Sequence, residues 1–445
     1  MTREEIARPE VRIISPDLYT YGAMLIGGIL RDAGMNVTLS RFTEPGREKI
    51  LLLSLYSTQH LLDKKIKKLV KEHRQHGGIC YAGGPVSAAP DMVIGELGVD
   101  AVVLGEGENT IISLVRNGVS PSLAGIAFRE GDAITIRNPY IPQTLDRPLP
   151  LIPEDIGSQS IRGANVYIES HRGCIGSCTF CQVPRFFGHR IRSRKVEDVL
   201  REVKAFREKG ARRISISGGT GSLYGYTDGK INAEAFIELL SGMAQIMGRE
   251  NVSAPDIRVD CISEEILDAI RDNTIGWVFF GIESGSDRIL SQMGKGVTIR
   301  QVRDAISLCR NHGLKVAGSF IVGYPTETDA DYAATRDFIA EMGLDDVFVS
   351  IAEPIPGTPL EHLVLRTPRE ENPLFIPTKG KYRSLGLTVA EARCFDLMIE
   401  ADMHRPRLRV LTDQVFDLYL KESRKQGVEI RAVTDLIAKY HRGQV

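Results

Sequence analysis

The chain has 445 residues, 42% of them hydrophobic and 25% charged, with a net charge of -1. That length suggests two or three domains, and that composition excludes a largely disordered chain. The near-zero charge gives no global attraction to nucleic acid, and no apolar run is long enough to span a membrane. Residues 1–10 are charged and lack the apolar stretch of a secretory leader, so a cytoplasmic protein is expected.

Residues 11–15, 36–39, 49–55, 79–82 and 101–104 read as strands, with helical patterns between them such as 19–33. This is a doubly wound α/β pattern of about five parallel strands. Residues 126–137 read as a hairpin about Gly131. Pro139, Pro142, Pro148, Pro150 and Pro153 disfavour regular structure, so 138–160 is expected to be an extended linker.

A second series of strands follows at 165–169, 213–217, 257–261, 277–281, 315–322 and 347–351. Helical patterns at 195–208, 233–247, 299–311 and 329–342 alternate with them, which predicts a partial TIM-like barrel of six βα units. Trp277 is expected in its core. The tail carries helices at 389–403, 411–425 and 431–441. The fold class is therefore α/β. A Rossmann-like domain occupies 1–137, a linker 138–160, a partial (β/α)6 barrel 161–360 and a mainly helical region 361–445. That last region reads as a substrate or partner clamp, or equally as a simple cap.

Of seven cysteines, Cys174, Cys178 and Cys181 fall within eight residues, directly after the first barrel strand. Strand C-terminal ends are where such barrels place chemistry. Three close thiolates suit zinc, with His171 or His189 as a fourth ligand, or a four-iron cluster with one iron left open. The basic run Arg185, His189, Arg190, Arg192, Arg194 and Lys195 follows, and would hold an anion or lie solvated. A nucleic-acid patch there is disfavoured by the balanced charge.

The C-x3-C-x2-C spacing, with Phe180 before the last cysteine, resembles the radical S-adenosylmethionine (SAM) superfamily. Further segments match in order: Gly218-Gly219 at the end of the second strand, Arg258 and Asp260 on the third, Glu283 at the end of the fourth, and the Ile321 strand. The resemblance implies that the three cysteines hold a [4Fe-4S] cluster and that Phe180, Gly218, Gly219, Arg258, Asp260, Glu283 and Ile321 contact SAM. Thr220 stands where the family often has Glu. An ion pair of Glu283 with Arg258 or Lys295 is the competing structural reading.

The N-terminal unit resembles the cobalamin-binding domain of class B radical SAM methyltransferases. The supporting residues are Tyr21, Ser54, Tyr56, Ser57, Gly83, Gly84, Pro85, Gly105 and Glu106. The D-x-H-x-x-G carrier motif is absent, and no histidine precedes His60. That implies cobalamin without a histidine lower ligand; a Rossmann-like domain that has lost its ligand is the alternative. Tyr56 is expected to pack and His60 to be exposed at a helix start. The size and domain order are similar to those of enzymes that C-methylate a glutamine of methyl-coenzyme M reductase. This implies methylcobalamin, a protein or peptide substrate and an electron donor. A cobalamin-binding radical SAM enzyme that cyclises or methylates a small molecule, a methylthiotransferase, and a non-catalytic carrier remain as alternatives. The methylthiotransferase family has three more N-terminal cysteines, whereas only Cys80 lies upstream here.

Overall fold

The computed structural model describes residues 10–217, 219–406 and 410–441. Residues 1–9 of the charged N-terminal segment, and Gly218, expected to contact SAM, lie outside the described residues. The chain forms two compact units: Met1–Glu169 with Arg192–Ile214, and Ser170–Ile191 with Ser215–Val445. These groupings cut the chain elsewhere than the expected boundaries at 137, 160 and 360.

The first unit is built on a seven-stranded sheet. Its strands are β1 (Glu10–Ile14), β2 (Asn36–Ser40), β3 (Ile50–Ser54), β4 (Ile79–Gly83), β5 (Ala101–Val103), β6 (Ile126–Glu130) and β7 (Ala133–Arg137). The order is β2-β1-β3-β4-β5-β6-β7. The first five are parallel, and the hairpin β6–β7 extends the sheet antiparallel to β5. Residues of β3 are almost entirely buried, as befits an apolar central strand. Helix α1 (Tyr21–Asp32) begins where the Thr20 side chain accepts the Ala23 N–H.

The proline-rich segment does not run free. Leu151 N–H donates to the Met24 carbonyl at 2.7 Å. A Cβ at Gly28 would lie 2.2 Å from the Leu149 carbonyl oxygen, so α1 uses a glycine to admit the segment. Gln159 completes the attachment, its Oε1 accepting the Tyr19 N–H at 2.7 Å.

The second unit contains a parallel sheet ordered Asp256–Ile257, Trp277–Glu283, Lys315–Val322 and Asp346–Ile351. The strand expected at 257–261 pairs only through Asp256 and Ile257. Beyond it the chain turns, closed by Cys261 N–H to the Arg258 carbonyl at 3.0 Å. Trp277 is half-buried beneath the Lys315 ammonium, not sealed in the core.

The two helices expected at 411–425 and 431–441 are one, Asp413–His441. The intervening Gly427 is a contact point and not a break: its Cβ would fall 2.1 Å from Glu391 Oε1 on Val389–Met403. The long helix also covers the edge strand. Gln426 Oε1 accepts the Ile351 N–H at 3.0 Å, and Gln426 Nε2 donates to the Val349 carbonyl.

Candidate active site

The cysteine loop is shaped by close backbone approaches. Gly173 has φ +99°, and a Cβ there would lie 2.3 Å from the Arg190 carbonyl oxygen. At Gly176 a Cβ would lie 2.4 Å from Arg258 Nη1, so the loop closes over that guanidinium. Arg185 Nη1 donates to the Cys178 carbonyl at 2.9 Å and also to that of Cys181. Thr179 is stitched on both sides, its N–H to the Met293 carbonyl and its carbonyl to the Leu360 N–H.

All three thiols are free; Cys178 is buried, Cys174 and Cys181 half-buried. Burial pushes the Cys178 and Cys181 thiols up, against the pull of Lys295 on both. His171 is sealed from solvent with Nδ1 at 3.0 Å from Ser170 Oγ, and His189 places Nδ1 at 3.2 Å from the Cys174 carbonyl. The donor set is thus three soft thiolates on one loop, which fits a [4Fe-4S] cluster with one open iron.

Glu283 ends its strand at φ +71°, where the register with the next strand shifts. Its Oε1 meets Lys295 Nζ at 3.0 Å and its Oε2 accepts from Ser319 Oγ at 3.3 Å. A Cβ at Gly281 would lie 2.4 Å from Glu283 Oε1, so glycine lets the carboxylate fold back over the strand. Burial lowers the Lys295 pKa, but Glu283 and the neighbouring Cys178 raise it further. The same ammonium lies 5.9 Å from the Phe180 ring centroid, joining this pair to the cysteine loop.

Arg258 holds Asp260 by two hydrogen bonds of 2.8 Å each. Gly219, at φ +96°, is exposed, and its Cβ position is 3.4 Å from Val183 Cγ1 just beyond the cysteines. Ile321 is half-buried two residues beyond Ser319 and shares its strand face, between buried Phe320 and Val322. The structure therefore brings Phe180, Gly219, Arg258, Asp260 and Glu283 around the loop. Sequence reasoning named Lys295 only as an ion-pair partner and missed Ser319 and the clasp by Arg185. The available signal was a lysine between two glycines, Gly294 and Gly296, both at positive φ.

In the first unit, sheet order reverses between β1 and β3, where open α/β sheets bind ligands beyond the strand ends. Ser54 Oγ lies 3.1 Å from Thr20 Oγ1, and Ser57 caps the following turn by accepting the Gln59 N–H. Gly83 ends β4, and Gly84 at φ +94° approaches the β3 loop so closely that a Cβ would lie 2.7 Å from the Leu55 oxygen. Pro85 starts the next short turn, and Gly105 donates to Ser87 Oγ at 3.3 Å.

The expectation for Tyr56 and His60 is reversed. Tyr56 is 39% exposed, while His60 is buried beneath it with ring centroids 4.6 Å apart. Its Nε2 lies 3.5 Å from Asp17 Oδ2, and its buried Nδ1 has no partner among the described residues. Burial lowers the His60 pKa despite Asp17. Beyond the end of β3 the chain thus presents an exposed Tyr56 ring packed over a buried imidazole.

Two expected contacts are already committed elsewhere. Tyr21 donates its hydroxyl to Glu202 at 2.9 Å and accepts from Arg147 at 3.0 Å and Arg194 at 3.2 Å. Glu106 forms a buried, two-bonded pair with Arg192. The basic run is accordingly split. Arg192 and Arg194 are buried, whereas Arg185, His189, Arg190 and Lys195 are exposed.

Residues 168–339 match the model of the Radical SAM superfamily. A candidate methylthiotransferase of Methanocaldococcus jannaschii is 54% identical over 443 residues, covering 98% of both chains. This protein belongs to the radical SAM superfamily. Within that superfamily, a tRNA-2-methylthio-N(6)-dimethylallyladenosine synthase of Ralstonia pickettii is 32% identical over 55% of this chain and 60% of its own. An uncharacterized methyltransferase of Pyrococcus horikoshii is 31% identical over 66% of this chain and 64% of its own. Among solved radical SAM structures, the methyltransferase TsrM of Kitasatospora setae, with cobalamin and [4Fe-4S] cluster bound, superposes with TM-score 0.67 at 14% identity. It covers 96% of this chain and 99% of its own. The cobalamin-dependent enzyme OxsB gives TM-score 0.68 at 18% identity, covering 96% and 72%. The fold therefore matches these enzymes over nearly the whole chain, including the N-terminal sheet.

Proposed function

We propose that this protein is a cobalamin-dependent radical SAM C-methyltransferase acting on an unactivated sp3 carbon. A glutamine of methyl-coenzyme M reductase is the first substrate to test. The observation that supports this reading is the first unit, whose parallel sheet reverses order between β1 and β3, with Tyr56 exposed on the loop after β3. In this assignment residues 1–137 hold cobalamin, 161–360 hold the cluster and SAM, and 361–445 meet the substrate.

When bound, the [4Fe-4S] cluster supplies the electron that cleaves SAM, and cobalamin supplies the methyl group. Cys174, Cys178 and Cys181 are the thiolates that would hold the cluster. Gly219 offers backbone without a Cβ to the methionine end of SAM. The Ile321 face gives adenine an apolar wall, and Glu283, oriented by Lys295 and Ser319, presents a fixed acceptor.

The names of two relatives favour a second reading, methylthio transfer. The resemblance associates that activity with a second cluster on three further N-terminal cysteines. Here Cys80 alone precedes Cys174, and it is sealed inside β4 with its thiol pushed up by burial.

The test is anaerobic purification, cluster rebuilding, loading with methylcobalamin, desalting, and quantification of iron and cobalt. Retention of about four irons and one cobalamin per chain, with labelled methyl passing from SAM to a glutamine peptide, is the expected result. A cluster without retained cobalamin sinks the reading. Sulfur and methyl appearing together on tRNA would establish the second one.

A further inference from the structure

We propose that Glu361, His362 and His441 form a site for a first-row divalent cation, zinc by preference. It would fasten the last turn of the C-terminal helix to Pro359–Arg366. The site stands independently of the cofactor reading above.

One ligand atom from each of the three residues lies within 4.8 Å of the others. One carboxylate and two imidazoles, with a fourth position left for water, are a donor set that zinc takes. Two features show these groups to be oriented. Glu361 is buried, and its Oε2 accepts the Gly357 N–H at 2.8 Å, which turns Oε1 toward His441. His441 Nδ1 lies 3.2 Å from the Ile437 carbonyl, four residues back. That contact holds the ring with Nε2 turned toward Glu361, the orientation of a metal-bound histidine whose other nitrogen meets a carbonyl.

The spacing between them favours an ion. Glu361 Oε1 and His441 Nε2 are 3.7 Å apart, too far for a hydrogen bond. Metal bonds of about 2.0–2.2 Å put two ligands of one tetrahedral ion about 3.4 Å apart, so only a small closure is required. His362 is exposed, with its ring centroid 6.3 Å from that of His441, and supplies the third ligand from the open side. The consequence is mechanical. The helix that covers the edge strand through Gln426 would be locked at its far end, fixing its register on the sheet.

The test uses the full chain with its iron–sulfur cluster already rebuilt, so that the cysteine thiolates are occupied. Cobalt(II) is titrated as a spectroscopic probe, then displaced by zinc. The expected result is one cobalt per chain with visible d–d absorption and no thiolate charge-transfer band. His362→Ala and His441→Ala should each weaken binding about 100-fold or more, with unchanged iron content and circular dichroism. His362 is exposed, so its loss leaves the fold intact and keeps the test decisive. Equal cobalt affinity in the parent and both variants, or a band from thiolate ligation, would overturn the proposal. So would no binding in the parent, which leaves Glu361 and His441 as a plain ion pair.

Discussion

Both units close their buried charges on partners, and they differ in the cysteine loop that the second one carries. In the first, buried charge is closed on itself: Arg192 on Glu106, and Arg194 and Arg147 on Glu202, Glu169 and Tyr21. In the second, Arg393 on Glu327 and Lys295 on Glu283 are closed in the same way, whereas the three thiols of the cysteine loop form no disulfide and Cys174 Sγ accepts the Gly176 N–H at 3.4 Å. The lesson is that charge and aromaticity alone do not mark a ligand contact. A side chain that the fold has not already spent is the better marker.

The comparison breaks most completely at the thiols. Replacing Cys174, Cys178 or Cys181 by Ala should abolish cluster retention, reading as iron falling from about four per chain to near zero, with an unchanged circular dichroism spectrum. A loss of folding instead would mean that the thiols are structural.

The buried network comes next. Burial pushes the Glu202 carboxyl up, against the pull of Arg194 and Arg147. Removing it takes the carboxylate partner from the buried Arg194 guanidinium, while Arg147 keeps Glu169, so Glu202→Ala should cost about 3–5 kcal/mol in denaturant unfolding. Tyr21→Phe removes one hydroxyl and should cost about 1–2 kcal/mol. If Tyr21→Phe instead abolished cobalamin retention at unchanged stability, its role as a direct contact would be restored.

Gly84→Ala probes the crevice itself. Its left-handed backbone and the approach to Leu55 should make the change cost about 1–3 kcal/mol. Cobalamin retention should fall while iron is unaffected; equal loss of both would mean general unfolding.

The smallest effect is acid sensitivity in the second unit. Burial would raise Asp331, yet hydrogen bonds from Arg288, Ser286 and Thr328 hold it below the usual carboxylate range. Asp396 is likewise lowered: the Tyr332 and Tyr382 hydroxyls and Lys381 overcome burial. A folded pKa below the unfolded value stabilises above that value, about 3.9, and the gain is lost as pH falls below it. Melting temperature should therefore drop below about pH 4, and Asp396→Asn should flatten that drop.

Much of the architecture was legible in the sequence, because period-2 and period-3.6 patterns report local geometry. The strand Lys315–Val322 and the helices Ala233–Met247, Ile299–Asn311, Asp329–Met342 and Val389–Met403 lie where the patterns place them. Errors arose where a local cue had a distant cause. The helical pattern is interrupted between 425 and 431, where Gly427 lies against Glu391, and the proline-rich segment reads as a linker until α1 is seen to hold it.

By itself, the sequence determined the order of elements, the three-thiol loop and the superfamily, since these depend on spacing along the chain. Only the tertiary structure decided which charges are spent, because the partners are remote. Arg192 meets Glu106 across 86 residues, and Tyr21 meets Glu202 across 181. It also decided that His60 is buried and that Glu361 faces His441. No local pattern encodes contacts that depend on the packing of separate elements, and those contacts decide which side chains remain available for chemistry.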